Sequence, residues 1–358
     1  MSYIKEELTK RNIPDVLTFA DGTKLTDPKD WEKRRQEMIE IIANNMFGHV
    51  PPSYPIETEV LKSSEKVLGQ KIYYTKFMLK INTPKGQASF PIYQFLPKNK
   101  TNIPMFVHIA FNPEDPWRST PVELLIDRGY GLVMAYYEDI TSDDNDFENG
   151  AAKFFDREDC SKISLWAWGM KHVMDHVQTL DVVNKDKIAM IGHSRLGKTS
   201  LWTSANDPRF KFVCSNNAGC SGDAITRGKV GETLEKIYNR FPYWFVSKYG
   251  EYANKEDELP FDQNFLVAAS APRKVCVGAA ELDEWADPRS EYLTCVTASC
   301  AFEFLGGKGF ICDDKRPEPY DVWQDGDISY HLQPYGHLLG NSDWNHYMDF
   351  IDKKIGKC

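Results

Sequence analysis

From Gly131 to the C-terminus, short apolar runs alternate with segments of helical period, and this alternation narrows the possible folds more than any other feature of the chain. "GLVMAYY" (131–137) reads as a buried strand and "SLWAWGMKHVMDHVQTL" (164–180) as a long amphipathic helix. A strand at 187–191 and a helix at 196–205 follow, then strands at 210–216 and 273–280, a helix at 289–305, the strand "ISYHL" (328–332) and a helix at 343–355. Such β-α units build a parallel sheet, because right-handed crossovers lay each helix on a face of the sheet. Upstream, Gly48 and Pro51-Pro52 close a helix over 30–46. The β-type segments 71–81, 90–97 and 104–111 have no helix between them, the pattern of antiparallel neighbours, and 121–128 has helical spacing. The expectation is one domain over 1–358: a mixed, mostly parallel sheet with helices on both faces. Residues 1–60 form a helical or extended lead-in, and the aromatic-rich stretch 223–265 forms a cap-like insertion.

Hydrophobic residues at 42% supply a substantial core. A net charge of −9 and a pI near 5.5, with no long run of Lys or Arg, argue against nucleic acid and anionic membrane as partners. No stretch approaches the roughly 18 apolar residues of a spanning helix. "MSYIKEELTKRNIPDVL" lacks the apolar core of a signal peptide, so the protein is expected in the cytoplasm or secreted with a leader already removed. Eight Cys without CxxC spacing fit a reducing compartment better than a disulfide framework, and Cys214 and Cys276 read as small buried hydrophobes.

The strand at 187–191 runs into "GHSRLGK", a strand, tight turn and helix that would expose the hydroxyl of Ser194. A Ser hydroxyl needs a base to take its proton, and the base needs a carboxylate to orient it. In the α/β-hydrolase order the acid comes next and His last. "AAELDEWADP" offers Glu281, Asp283, Glu284 and Asp287 just after the strand 273–280. Asp283 sits where the turn aims a short carboxylate back over the sheet edge, whereas Glu281 and Glu284 are expected to face solvent. Of the late histidines, His331 lies within a strand pattern and His337 on the Gly-bounded loop "PYGHLLG", so His337 is the candidate base. His108, His172, His176, His193 and His346 have no such placement. The turn departs from GxSxG, since its second Gly, Gly197, comes one position late. A merely structural turn, with Ser194 capping the helix behind it, is the competing reading.

The stretches "IGHSRLGKTSLW", "SNNAGCSGDA", "GETLEKI", "FPYWF", "DQNFLVAASAPRKV", "ELDEWADPRSEYL" and "GHLLGNSDW" resemble carbohydrate esterase family 15, the glucuronoyl esterases, in their bacterial branch. The similarity runs in order from about Trp31 to the C-terminal helix. It implies an α/β hydrolase that needs no metal or organic cofactor. The implied reaction cleaves the ester between (4-O-methyl-)glucuronic acid of glucuronoxylan and an alcohol of lignin. It also implies roles for particular residues: Arg195 as a charged donor to the oxyanion, Lys198 on the sugar's hydroxyl or methoxy edge, and Glu232 and Trp285 on the ring hydroxyls. Without the resemblance, Lys198 reads as a solvated helix residue, Glu232 as a helix N-terminal charge and Trp285 as a core or rim aromatic. Many members carry the triad Glu at the position of Asn217; the bacterial branch can place the acid after the next strand, where Asp283 falls. A monomer is expected. The rival readings are an acetylxylan or cinnamoyl esterase on the same fold, and a non-catalytic carbohydrate-binding homologue.

Overall fold

The computed structural model describes residues 2–112 and 120–357. Strand β4 (Ile103–Ala110) shows how the apolar runs are used. It is buried along its whole length, and alternate side chains part: Met105, Val107 and Ile109 enter one hydrophobic core, Phe106 and Ala110 a second. The same parity holds in β5 (Gly131–Tyr136), β6 (Val183–His193), β7 (Phe212–Asn216) and β8 (Lys274–Ala280). A strand apolar on both faces needs helices on both. The larger core is closed by the helices Trp31–Ile42, Lys162–Gln178, Arg195–Asn206 and Pro288–Phe304, the smaller by Val122–Asp127 and Asn341–Ile355.

With β1 (Ile56–Ser64), β2 (Ile72–Thr83), β3 (Gly86–Pro97), β9 (Val322–Trp323) and β10 (Ile328–Gln333), the ten strands are ordered β1-β2-β3-β5-β4-β6-β7-β8-β10-β9. Pairing is parallel from β5 through β10 and antiparallel at both margins. This is the mixed, mostly parallel sheet of the α/β-hydrolase fold. Two strands escape the sequence reading. β1 lies at an edge with nearly every residue exposed, so no apolar alternation marks it, and its charges suit an edge that must not pair further. β9 has two residues. The stretch 223–265 contains the helix Leu234–Arg240, several 3₁₀ turns and the start of the helix Gln263–Ala268. Among the described residues no helix is long and apolar enough to cross a membrane, and the seven cysteines found there are unpaired.

Burial pushes His108 down to about 3, and His176, His193 and His346 to about 4, so all four are neutral in the folded protein near neutral pH. Unfolded, they titrate near 6.5. Their contribution to stability is therefore complete above that value and is lost as the pH falls toward 4. We expect Tm, followed by calorimetry, to drop steadily between pH 6.5 and 4. A flat profile across that window would contradict these environments.

Candidate active site

Ser194 sits between β6 and the helix Arg195–Asn206 with φ +59° and ψ −127°, a conformation costly for any residue with a side chain. Neighbouring contacts enforce it. The Ser194 N–H donates to the Asn216 carbonyl (2.8 Å), and the Ser194 carbonyl accepts from Gly197 N (2.8 Å) and Lys198 N (3.2 Å). A β-carbon at Gly192 would stand 2.1 Å from the Leu196 carbonyl oxygen, and one at Gly197 2.9 Å from Cβ of Ala218. The late second glycine is thus explained: it lets the helix close onto the loop after β7. The Ser194 side chain makes no capping bond to the helix, which removes the structural reading of the turn.

His337 and Asp283 come together as the sequence suggested. The exposed His337 ring donates from Nδ1 to Oδ2 of Asp283 at 2.5 Å, leaving Nε2 free of that bond. Asp283 is 6% exposed, and its Oδ1 accepts from Ala286 N (3.3 Å). The other acids are engaged elsewhere. Glu281, expected to face solvent, is half-buried and paired with Arg289, Glu284 is exposed, and Asp287 caps the helix Pro288–Phe304. His331 is a core residue bonded to Asp343 (2.9 Å). Among the described residues the Ser194 hydroxyl has no hydrogen bond to His337, the looser arrangement often seen in unliganded hydrolases, where this contact tightens with substrate.

His193, set aside on sequence, stands at the site. Its ring packs on His337 with centroids 4.5 Å apart, and its Nδ1 donates to Asn216 Oδ1 (2.6 Å). Burial, and after it the charge of His337, hold His193 near 4. It therefore stays neutral and adds no repulsion when His337 takes a proton. Its one sequence signal was its position next to Ser194. Asn217, at φ +45°, reaches the same loop: its Nδ2 donates to the Leu338 carbonyl (3.1 Å), one residue past His337. An Asn here ties down the histidine loop in place of supplying charge.

Arg195, expected as a charged donor to the oxyanion, has a carboxylate partner in the structure. It lines the cavity, but its Nη1 is ion-paired with Asp143, a residue nothing in the sequence reading singled out. Lys198 is 4% exposed, contrary to the solvated-helix reading, and donates to the Ala218 carbonyl. Burial pushes its ammonium down, opposed chiefly by the charge of Glu232. Glu232 is itself 8% exposed, and its N–H bonds the Trp285 carbonyl (2.9 Å). Trp285 is a rim aromatic, 48% exposed, with Lys236 Nζ 5.0 Å from its ring centre. Ser194, Arg195, Lys198, Glu232, Asp283, Trp285 and His337 all line one cavity of about 320 Å³, room for a single sugar, with Asn217, Gly219, Arg240, Phe241 and Trp244 among its other walls. Beneath, the Gly219 N–H is held by two buried carboxyls, Asp223 Oδ1 (3.0 Å) and Glu291 Oε1 (2.9 Å). Burial raises both, and the nearby charge of Asp223 raises Glu291 further. Among the described residues no group of three His, Cys, Asp or Glu could hold a metal ion.

A family profile described as glucuronyl esterase, fungi, matches residues 71–306. A carbohydrate esterase from an unknown prokaryotic organism is 32% identical, covering 98% of this chain and 91% of that protein. The 4-O-methyl-glucuronoyl methylesterase 1 of Wolfiporia cocos is 28% identical over 82% of this chain and 72% of its own. The solved glucuronoyl esterase of Solibacter usitatus superposes with a TM-score of 0.86 at 30% identity, covering 95% of this chain and 97% of that one. A serine on a strained elbow, a carboxylate-bound histidine beside it and relatives matched nearly end to end converge: the chain belongs to carbohydrate esterase family 15, the glucuronoyl esterases.

Proposed function

We propose that this protein hydrolyses the ester joining (4-O-methyl-)glucuronic acid of glucuronoxylan to an alcohol, through an acyl-enzyme on Ser194. The observation that carries the reading is the shared cavity: the Ser194, His337 and Asp283 set opens into the same space as the paired cation Arg195 and the buried Lys198 and Glu232. Asp283 fixes the His337 tautomer, so that Nε2 takes the Ser194 proton as Oγ attacks the uronic carbonyl. Charge then builds on the carbonyl oxygen, where the Arg195 guanidinium and the backbone N–H at the start of its helix receive it. His337 protonates the departing alcohol and afterwards activates the water that frees the acid. Lys198, Glu232 and Trp285 hold the sugar, and binding energy on the ring orients the carbonyl. The exposed side of His337 leaves the alcohol toward solvent and loosely specified.

An acetylxylan or cinnamoyl esterase would use the same triad, but it gains nothing from a buried lysine and glutamate around the acyl group. We expect kcat/KM on benzyl glucuronate to exceed that on 4-nitrophenyl acetate by at least about tenfold, the value of roughly one additional charge-assisted contact. Preference for the acetate would overturn the substrate assignment. Ester turnover lost in Ser194→Ala would exclude a purely carbohydrate-binding role. The protein is proposed to act as a monomer.

A further inference from the structure

Three donors from three separate parts of the chain meet on one carboxylate. Asp143 Oδ1 accepts from Trp244 Nε1 (2.7 Å), in the 223–265 stretch. Asp143 Oδ2 accepts from Tyr137 Oη (3.2 Å), just after β5, and from Arg195 Nη1, beside the nucleophile. The Asp143 side chain is 7% exposed, and the loop bearing it is pinned by the fully buried Lys162. That ammonium donates to Thr141 Oγ1 (3.0 Å), Ser142 Oγ (3.3 Å) and the Asp146 carbonyl (2.5 Å). The guanidinium is also held by ring faces, 4.6 Å from the Trp244 centroid, 5.3 Å from Phe241 and 5.6 Å from Phe111. Phe241 and Trp244 are stacked on each other at 3.8 Å. Arg195 Nε is buried with no partner.

We propose that Asp143, locked by Trp244 and Tyr137, is a positioning residue that fixes the plane of the Arg195 guanidinium so that an Nη N–H not engaged by Asp143 faces the oxyanion; this rests on the role given to Arg195 above. A long arginine side chain left unheld samples many rotamers, and a donor misplaced by about 1 Å can cost 10²-fold in rate. A carboxylate that gathers the stacked indole and the guanidinium removes that freedom before substrate arrives. Asp143 also partly neutralises the cation, and that effect taken alone would slow catalysis. The two effects predict opposite signs, so measurement separates them.

Wild type, Asp143→Ala, Asp143→Asn, Arg195→Ala and the Asp143→Ala/Arg195→Ala double variant are compared on benzyl glucuronate and 4-nitrophenyl acetate, with Tm as the folding check. Expected is a kcat about 10- to 100-fold lower in Asp143→Ala, with KM within about twofold. In the Arg195→Ala background the same change adds less than about threefold, because the residue it positions is already gone. Two results overturn the proposal: an unchanged or raised kcat in the folded Asp143 variants, or losses that multiply in the double variant. Should Asp143→Ala fail to fold, Asp143→Asn and Trp244→Phe, which deletes a single donor, carry the test with the same kcat-only signature. Preference for the acetate defeats the substrate reading while leaving the positioning measurable, since an oxyanion forms on any ester; turnover of neither ester defeats both.

Discussion

Asp283→Asn is expected to lower kcat on benzyl glucuronate by about 10⁴-fold, some 5.4 kcal/mol of barrier, in a protein that still folds. The replacement keeps the shape of the side chain and its contact with Ala286 N, but it can turn an NH₂ toward His337 Nδ1. That bond selects the tautomer with its hydrogen on Nε2, the nitrogen that must accept the Ser194 proton. It also removes the charge that stabilises the imidazolium. Asn217→Ala is the control, since it deletes a neutral bond to the Leu338 carbonyl and should cost about tenfold or less. Comparing kcat for the two variants at matched Tm checks the assignment; a mild Asp283→Asn with a severe Asn217→Ala would return the acid role to the loop after β7.

Arg195→Ala should reduce kcat by about 10²- to 10³-fold, roughly 2.7–4 kcal/mol, with little change in KM. The reason for the split is that the carbonyl oxygen carries its charge only in the transition state. A ground-state contact would move KM instead, and an effect confined to KM would remove Arg195 from the oxyanion site. The structure adds a second expectation. Without the guanidinium, the poorly exposed Asp143 side chain keeps only the indole and phenol donors, so Tm should also fall. Arg195→Lys separates the two effects. It restores a cation to Asp143, and with it much of Tm, but a lysine cannot bond the carboxylate and the oxyanion with one planar fork, so kcat should stay low.

The layered fold was legible because buried strands and amphipathic helices carry periods of 2 and 3.6, which survive as patterns along the chain. What escaped was what carries no period. β1 is an exposed, charged edge, and β9 is too short to show one. The triad candidates were readable because Ser194, Asp283 and His337 each follow a strand end that the pattern had already located. The roles of Asp143, His193, Phe241 and Trp244 were not, since they arise from contacts between residues far apart in the chain, such as His193 with His337, Arg195 with Phe241 and Asp143 with Trp244, which a stretch of sequence does not display. Lys198 illustrates the same limit in reverse: its helix position reads as solvated, and only the closing of the loop at Ala218 buries it.

The neighbouring ends of β7 and β8, where Asn216 lies opposite Gly278, have one more implication. An imidazole hanging over that seam is within reach of a carboxylate from either strand. Catalysis constrains a point in space and leaves free which loop occupies it. A carboxylate on either loop can therefore serve the histidine with the nucleophile unmoved, and the loop that does not supply it is free for a different duty, here the tether from Asn217.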